Sequence, residues 1–207
     1  MRIGVLPIHD GLRDLSRLAA RLEPGEEVRL GELAALAAAG ASAAALTTFV
    51  DLSLRIPGHH ILFAVFPMAL GLALVPRRRA GGVMGCAALL SSSAFWMLGA
   101  RLPGMGAISS LLATGPALDA AVRWAGRGWR LYAAFMLAGL TSNFVAFLVR
   151  AAAKLLAIPG FVGSRPFATW WLPAIVTYAA AGILAGATSA AVWFKLRRRE
   201  RSEEDGW

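Results

Sequence analysis

Two of the three histidines in this chain, His59 and His60, are adjacent, and Asp51 and Arg55 precede them in the same short polar segment. Imidazole and carboxylate are suitable ligands for a transition metal, and neighbouring histidines that diverge on a helix can converge in a loop. A second group is aromatic and amide in character: Trp96, Asn143, Trp170 and Trp171, with Arg165 just before the tryptophan pair. Stacking surfaces, a carboxamide and a few charges around one mouth are what a pocket for a small polar or aromatic molecule needs. Each residue also has a plainer use. Tryptophans anchor helices at membrane interfaces, and the trio Thr141-Ser142-Asn143 is suited to hydrogen bonding between helices. Cys86 is the lone cysteine, so no intramolecular disulfide can form; among small residues it reads as a packing side chain. No serine-nucleophile elbow, HExxH or Walker-type glycine loop is present, so neither an enzyme nor a resident cofactor or metal is expected.

The elements that must position these residues are written in long apolar stretches. The 207 residues are 57% hydrophobic with a mean hydropathy of +0.60, and the charges cluster between apolar runs. A spanning helix needs about 20 apolar residues. Six windows meet or approach that length: 33–50, 60–76, 80–100, 103–122, 131–149 (extending toward 158) and 167–194. The expected fold is therefore an all-α membrane protein, a bundle of six transmembrane helices. The second window is short, and the fourth is diluted by Ser109, Ser110, Thr114, Pro116 and Asp119, which suggests a broken or partly buried span. Apart from Asp119 no window holds Asp, Glu, Lys or Arg. Ion-coupled transporters and pumps keep such groups in mid-membrane, so a self-driven transporter is not indicated.

The formal charge of +9 does not point to nucleic acid, because the basic residues flank apolar segments and build no continuous face. Sixteen of the 21 Lys and Arg fall in the N-terminal arm, the second-to-third and fourth-to-fifth loops and the tail; five fall on the other side. That asymmetry puts both termini in the cytoplasm. The expected organisation is a cytoplasmic arm over 1–30, a six-helix domain over 31–196 and a charged tail over 197–207. Within the arm, Leu12, Leu15, Leu18, Ala19 and Leu22 share helical spacing with arginines on other faces, as in a helix lying on the inner membrane surface or on the protein's own cytoplasmic side. The arm is too charged for a cleavable signal peptide, so the first membrane helix is expected to direct insertion.

That first helix repeats small residues every four positions: Ala34, Ala38 and Ser42 on one line, Ala35, Ala39 and Ala43 on the next. Such lines allow close approach of another helix, either within the bundle or from a partner. Six spans in about two hundred residues, internal termini, no motor and this alanine-rich helix resemble the substrate-binding S component of energy-coupling factor transporters. The resemblance implies a multi-pass protein of the cell (inner) membrane that captures a vitamin or related small molecule. It also implies partners: a membrane coupling subunit and two ATPase subunits, with Ala34, Ala35, Ala38, Ala39 and Ala43 as the docking face. Asp51, Arg55, His59, His60, Trp96, Asn143, Arg165, Trp170 and Trp171 would then surround the ligand on the outer side. No signature for biotin, riboflavin or thiamine is present, nor the Met-His start of nickel and cobalt members, so the substrate stays open. Two other classes stay open as well. One is a small intramembrane enzyme or metal-uptake subunit using His59 and His60; the other is an accessory scaffold without a pocket.

Overall fold

A computed structural model describes residues 30–50, 58–77, 79–101, 103–124, 129–158 and 166–194. Asp51, Arg55, Arg165, the arm up to residue 29 and the tail lie outside the described residues. Among the described residues the chain is all helical, with six helices and no strand: α1 Leu30–Phe49, α2 Ile61–Leu74, α3 Ala80–Met97, α4 Met105–Trp124, α5 Trp129–Leu155 and α6 Phe167–Trp193. Five of them, all but α2, are long and apolar enough to cross a bilayer, which fits a multi-pass membrane protein.

Round the bundle the helices follow the order α1, α3, α4, α5, α6, α2, each packed on the next, and α2 also touches α3, α4 and α5. The short helix is therefore the inner one. Nine of its 14 residues are buried, among them Ile61, Val65, Met68 and Leu72. At ~1.5 Å per residue it reaches about 21 Å, short of the ~30 Å hydrocarbon core. A helix that is apolar all round and enclosed by protein does not have to match the bilayer itself. Pro67 sits within it, and beside that proline the Trp193 indole N–H of α6 donates to the Phe66 carbonyl at 3.0 Å.

Between hydrocarbon-clad helices, association rests on close packing rather than on removal of water. The contacts are accordingly built on glycine. A Cβ on Gly139 of α5 would collide with the Gly182 carbonyl of α6, and one on Gly186 with the Phe135 carbonyl. Gly81 of α3 and Gly115 of α4 meet backbone to backbone in the same way.

The doubtful fourth segment is one continuous helix. Its polar residues are satisfied locally: Thr114 Oγ1 donates to the Ser110 carbonyl, and Ser110 Oγ to that of Ala107 at 2.8 Å. Asp119 turns away from the helix altogether, its carboxylate capping the first amides of α3. Cys86 is not a packing residue as expected; it lies on the exposed face of α3.

Candidate functional site

At one end of the bundle, the last turn of α1, the start of α2, the start of α4, the second half of α5 and the first half of α6 enclose a cavity of about 300 Å³. The opposite end carries polar contacts between helices. There Arg77 Nε pairs with Glu32 at 2.7 Å, and Asp119 caps α3.

The cavity is organised by Asn143. Its carboxamide nitrogen donates to the Tyr178 carbonyl of α6 at 2.7 Å and to the Gly58 carbonyl, before α2, at 3.1 Å. One side chain so fixes α5, α6 and the turn into α2. Gly58 has φ +86, in the left-handed region, and a Cβ there would stand 2.9 Å from the Asn143 nitrogen, so glycine is required on both counts. With both amide hydrogens committed, what Asn143 can offer the cavity is its oxygen, an acceptor.

Above Asn143 on the same face of α5 come Ala146, Arg150 and Ala153, all lining the cavity. The spacing of three and four residues stacks them along one side of the helix. Arg150 is exposed at the mouth and makes no ion pair among the described residues. Across from them, Tyr178 is 3% exposed and lines the cavity, its ring edge-on to Phe147 at 5.7 Å. Its hydroxyl lies 3.9 Å from where a Cβ on Gly106 would stand, at the first turn of α4. Thr47, His60 and Ser110 complete the polar lining, with Ile61, Met105 and Ala107 between them.

The residues expected at the site divide. Asn143 and His60 line the cavity. His59 stacks on His60 with ring centroids 4.1 Å apart, in a tilted arrangement. Among the described residues no group of three or more His, Cys, Asp and Glu is placed to hold a metal ion. The tryptophans stand elsewhere. Trp96 is 58% exposed and Trp171 42% exposed, both on the outer surface of the bundle. Trp170 is buried behind the cavity wall, stacked on Phe147 at 5.6 Å with Lys154 Nζ 5.3 Å from its ring centroid. The aromatic walls expected of the pocket are thus replaced by one tyrosine, one histidine and the backbone of Gly58, Gly104 and Gly106. The polar trio divides as well: Thr141 is exposed, Ser142 Oγ donates to the Ala138 carbonyl, and only Asn143 reaches the cavity.

The alanine lines on α1 separate in the same manner. Ala39 and Ala43 are buried in the chain's own bundle, Ala39 against Gly71 of α2, and Ala35 is half-buried. Ala34, Ala38 and Ser42 face outward.

Sequence reading did not single out Tyr178, or Arg150 beyond its weight in the charge count. A signal for Arg150 was present in the 143, 146, 150 and 153 stripe, polar or small where the residues between 143 and 150 include Phe144, Val145, Phe147, Leu148 and Val149. No protein-family model, curated protein or solved structure matches the chain.

Proposed function

We propose that this chain spans the inner membrane six times with both termini in the cytoplasm, and that it is the substrate-binding subunit of an energy-coupling factor type importer. It captures a small molecule from the outer side and has no motor of its own. The observation that carries this reading is the cavity. It opens at the end where the outer loops of the charge-derived topology begin, and it lies in a bundle whose two carboxylates among the described residues are both committed, Asp119 to capping α3 and Glu32 to Arg77. A protein that binds but does not couple to an ion is consistent with that arrangement. The volume is at the lower end of the roughly 300–1,000 Å³ usual for small-molecule sites.

Transport then requires a membrane coupling subunit and two ATPases. The outward line Ala34, Ala38 and Ser42 is the part of the first helix available to a partner, while Ala39 and Ala43 serve internal packing. The test uses the full chain in lipid nanodiscs, incubated with a defined mixture of vitamins and small metabolites and read by native mass spectrometry. A species retained by the wild type and lost on filling the cavity with Ala107→Trp supports the reading; retention of nothing, or equal retention by both, rejects it. In cells, Ala38→Trp should abolish uptake of that species while leaving its binding intact.

A further inference from the structure

We infer that the cavity takes a compact organic monocarboxylate, its anionic group held between Arg150, the Tyr178 hydroxyl and the first amides of α4. This rests on the reading of the cavity as the capture site, and adds the chemical class of what is captured.

Three kinds of donor line the same cavity. The 20-residue helix α4 begins at Met105, and its start lines the cavity. The amides of Ala107 and Ile108 bond to the Gly104 carbonyl, whereas those of Met105 and Gly106 have no carbonyl partner among the described residues. Such a helix start presents free N–H groups and about half a positive charge toward an anion. The second donor points to a ligand independently. Tyr178 is 3% exposed, its hydroxyl has no hydrogen bond among the described residues, and it lies at Gly106 in that same first turn. A phenolic O–H in a protein interior normally finds a partner, and this one is left to what occupies the cavity. Here the absent side chain of Gly106 leaves space in front of it. The third donor is the Arg150 guanidinium, one turn above Ala146, which packs on Gly106. A guanidinium presents paired N–H groups that match a carboxylate.

The charge balance selects the class. The described lining holds one full positive charge, Arg150, and no Asp or Glu. Taking an anion out of water is costly unless its charge is matched. One guanidinium matches a carboxylate, not a phosphate dianion. Beyond the anion site the lining is small and mostly uncharged, with the Asn143 oxygen as an acceptor below. The rest of the ligand is therefore compact and neutral, and carries a donor for that oxygen.

Calorimetry on the purified full chain tests this, with a panel of monocarboxylates from acetate through benzoate and their hydroxy and amino derivatives. Each acid is paired with its primary amide, and inorganic phosphate is the second anion. At least one acid should bind, more tightly than its amide by about tenfold or more, and more tightly than phosphate. Arg150→Gln and Tyr178→Phe should each remove most of that preference, and Arg150→Lys should restore part of it. Because Arg150 is exposed and Tyr178→Phe keeps the ring, both variants should fold, which unchanged circular dichroism and melting temperature would check. Equal binding of acid and amide overturns the carboxylate assignment while leaving the cavity as a capture site. Preference for phosphate, an acid preference that survives both substitutions, or no binding by any acid overturns it too.

Discussion

The carboxylate of Asp119, in the last part of α4, accepts a hydrogen bond from the backbone N–H of Gly81 at 2.8 Å, and its other oxygen accepts from Gly82 at 3.0 Å. The acidic residue that stood out in the apolar windows is thus a helix cap supplied from a neighbouring helix. Gly81 is also where α3 and α4 touch through backbone. A side chain at Gly81 would push α4 away and carry the cap out of range.

Replacing Asp119 with Ala should therefore destabilise the protein by about 1–2 kcal/mol, the usual cost of removing a helix cap. Asp119→Asn should cost less, because its amide oxygen can still accept one of the two bonds. Thermal unfolding of the purified protein in detergent measures both. Equal losses for the two variants would place the effect in packing rather than in capping.

The crossing of α5 and α6 makes a second prediction. Gly139→Ala puts a methyl group against the Gly182 carbonyl, and no flexible side chain stands there to yield. Overpacking of this kind costs about 1–3 kcal/mol. Gly82→Ala meets nothing within 4 Å and should be nearly neutral, so the pair separates loss of room from a general effect of replacing glycine. Melting temperatures of the two variants, side by side, decide it.

Asn143 and Trp170 should respond differently to truncation. Asn143→Ala leaves the Gly58 carbonyl without its side-chain donor and removes the cavity's acceptor, so ligand affinity should fall by an amount equivalent to about 1–3 kcal/mol. Trp170→Ala removes a ring stacked on Phe147 behind the wall, and should lower stability by about 3 kcal/mol while changing affinity less than Asn143→Ala does. Comparing unfolding with ligand titration for each variant checks the assignment. A larger affinity loss in Trp170→Ala would return that tryptophan to the ligand.

The topology can be tested with single cysteines in a Cys86→Ser background. Leu98 follows α3 and is 83% exposed; Trp124 ends α4 and is equally exposed at 83%. A membrane-impermeant thiol reagent applied outside intact cells should label Leu98→Cys and spare Trp124→Cys until the membrane is opened. Labelling of both from outside would overturn the orientation.

The all-helical class and the bounds of the apolar helices could be read from the sequence to within a few residues, because each helix satisfies its own backbone and must be apolar where lipid surrounds it. The same periodic rule gave no warning that the second segment is the inner helix. Its 14 residues are apolar on every side, and a helix facing lipid and one facing protein then have the same composition. Which alanine line of α1 turns inward was hidden for that reason, since Ala38 and Ala39 differ only in the direction they point. The site was half legible. Asn143 stood out because a carboxamide is expensive in hydrocarbon, and it proved to be a keystone of the cavity. The tryptophans stood out as well, yet two of them face outward, because an amphipathic ring suits an interface as well as a pocket. Only the fold set Tyr178 against Gly106, two residues more than seventy positions apart in the chain, and so decided which polar groups share one space.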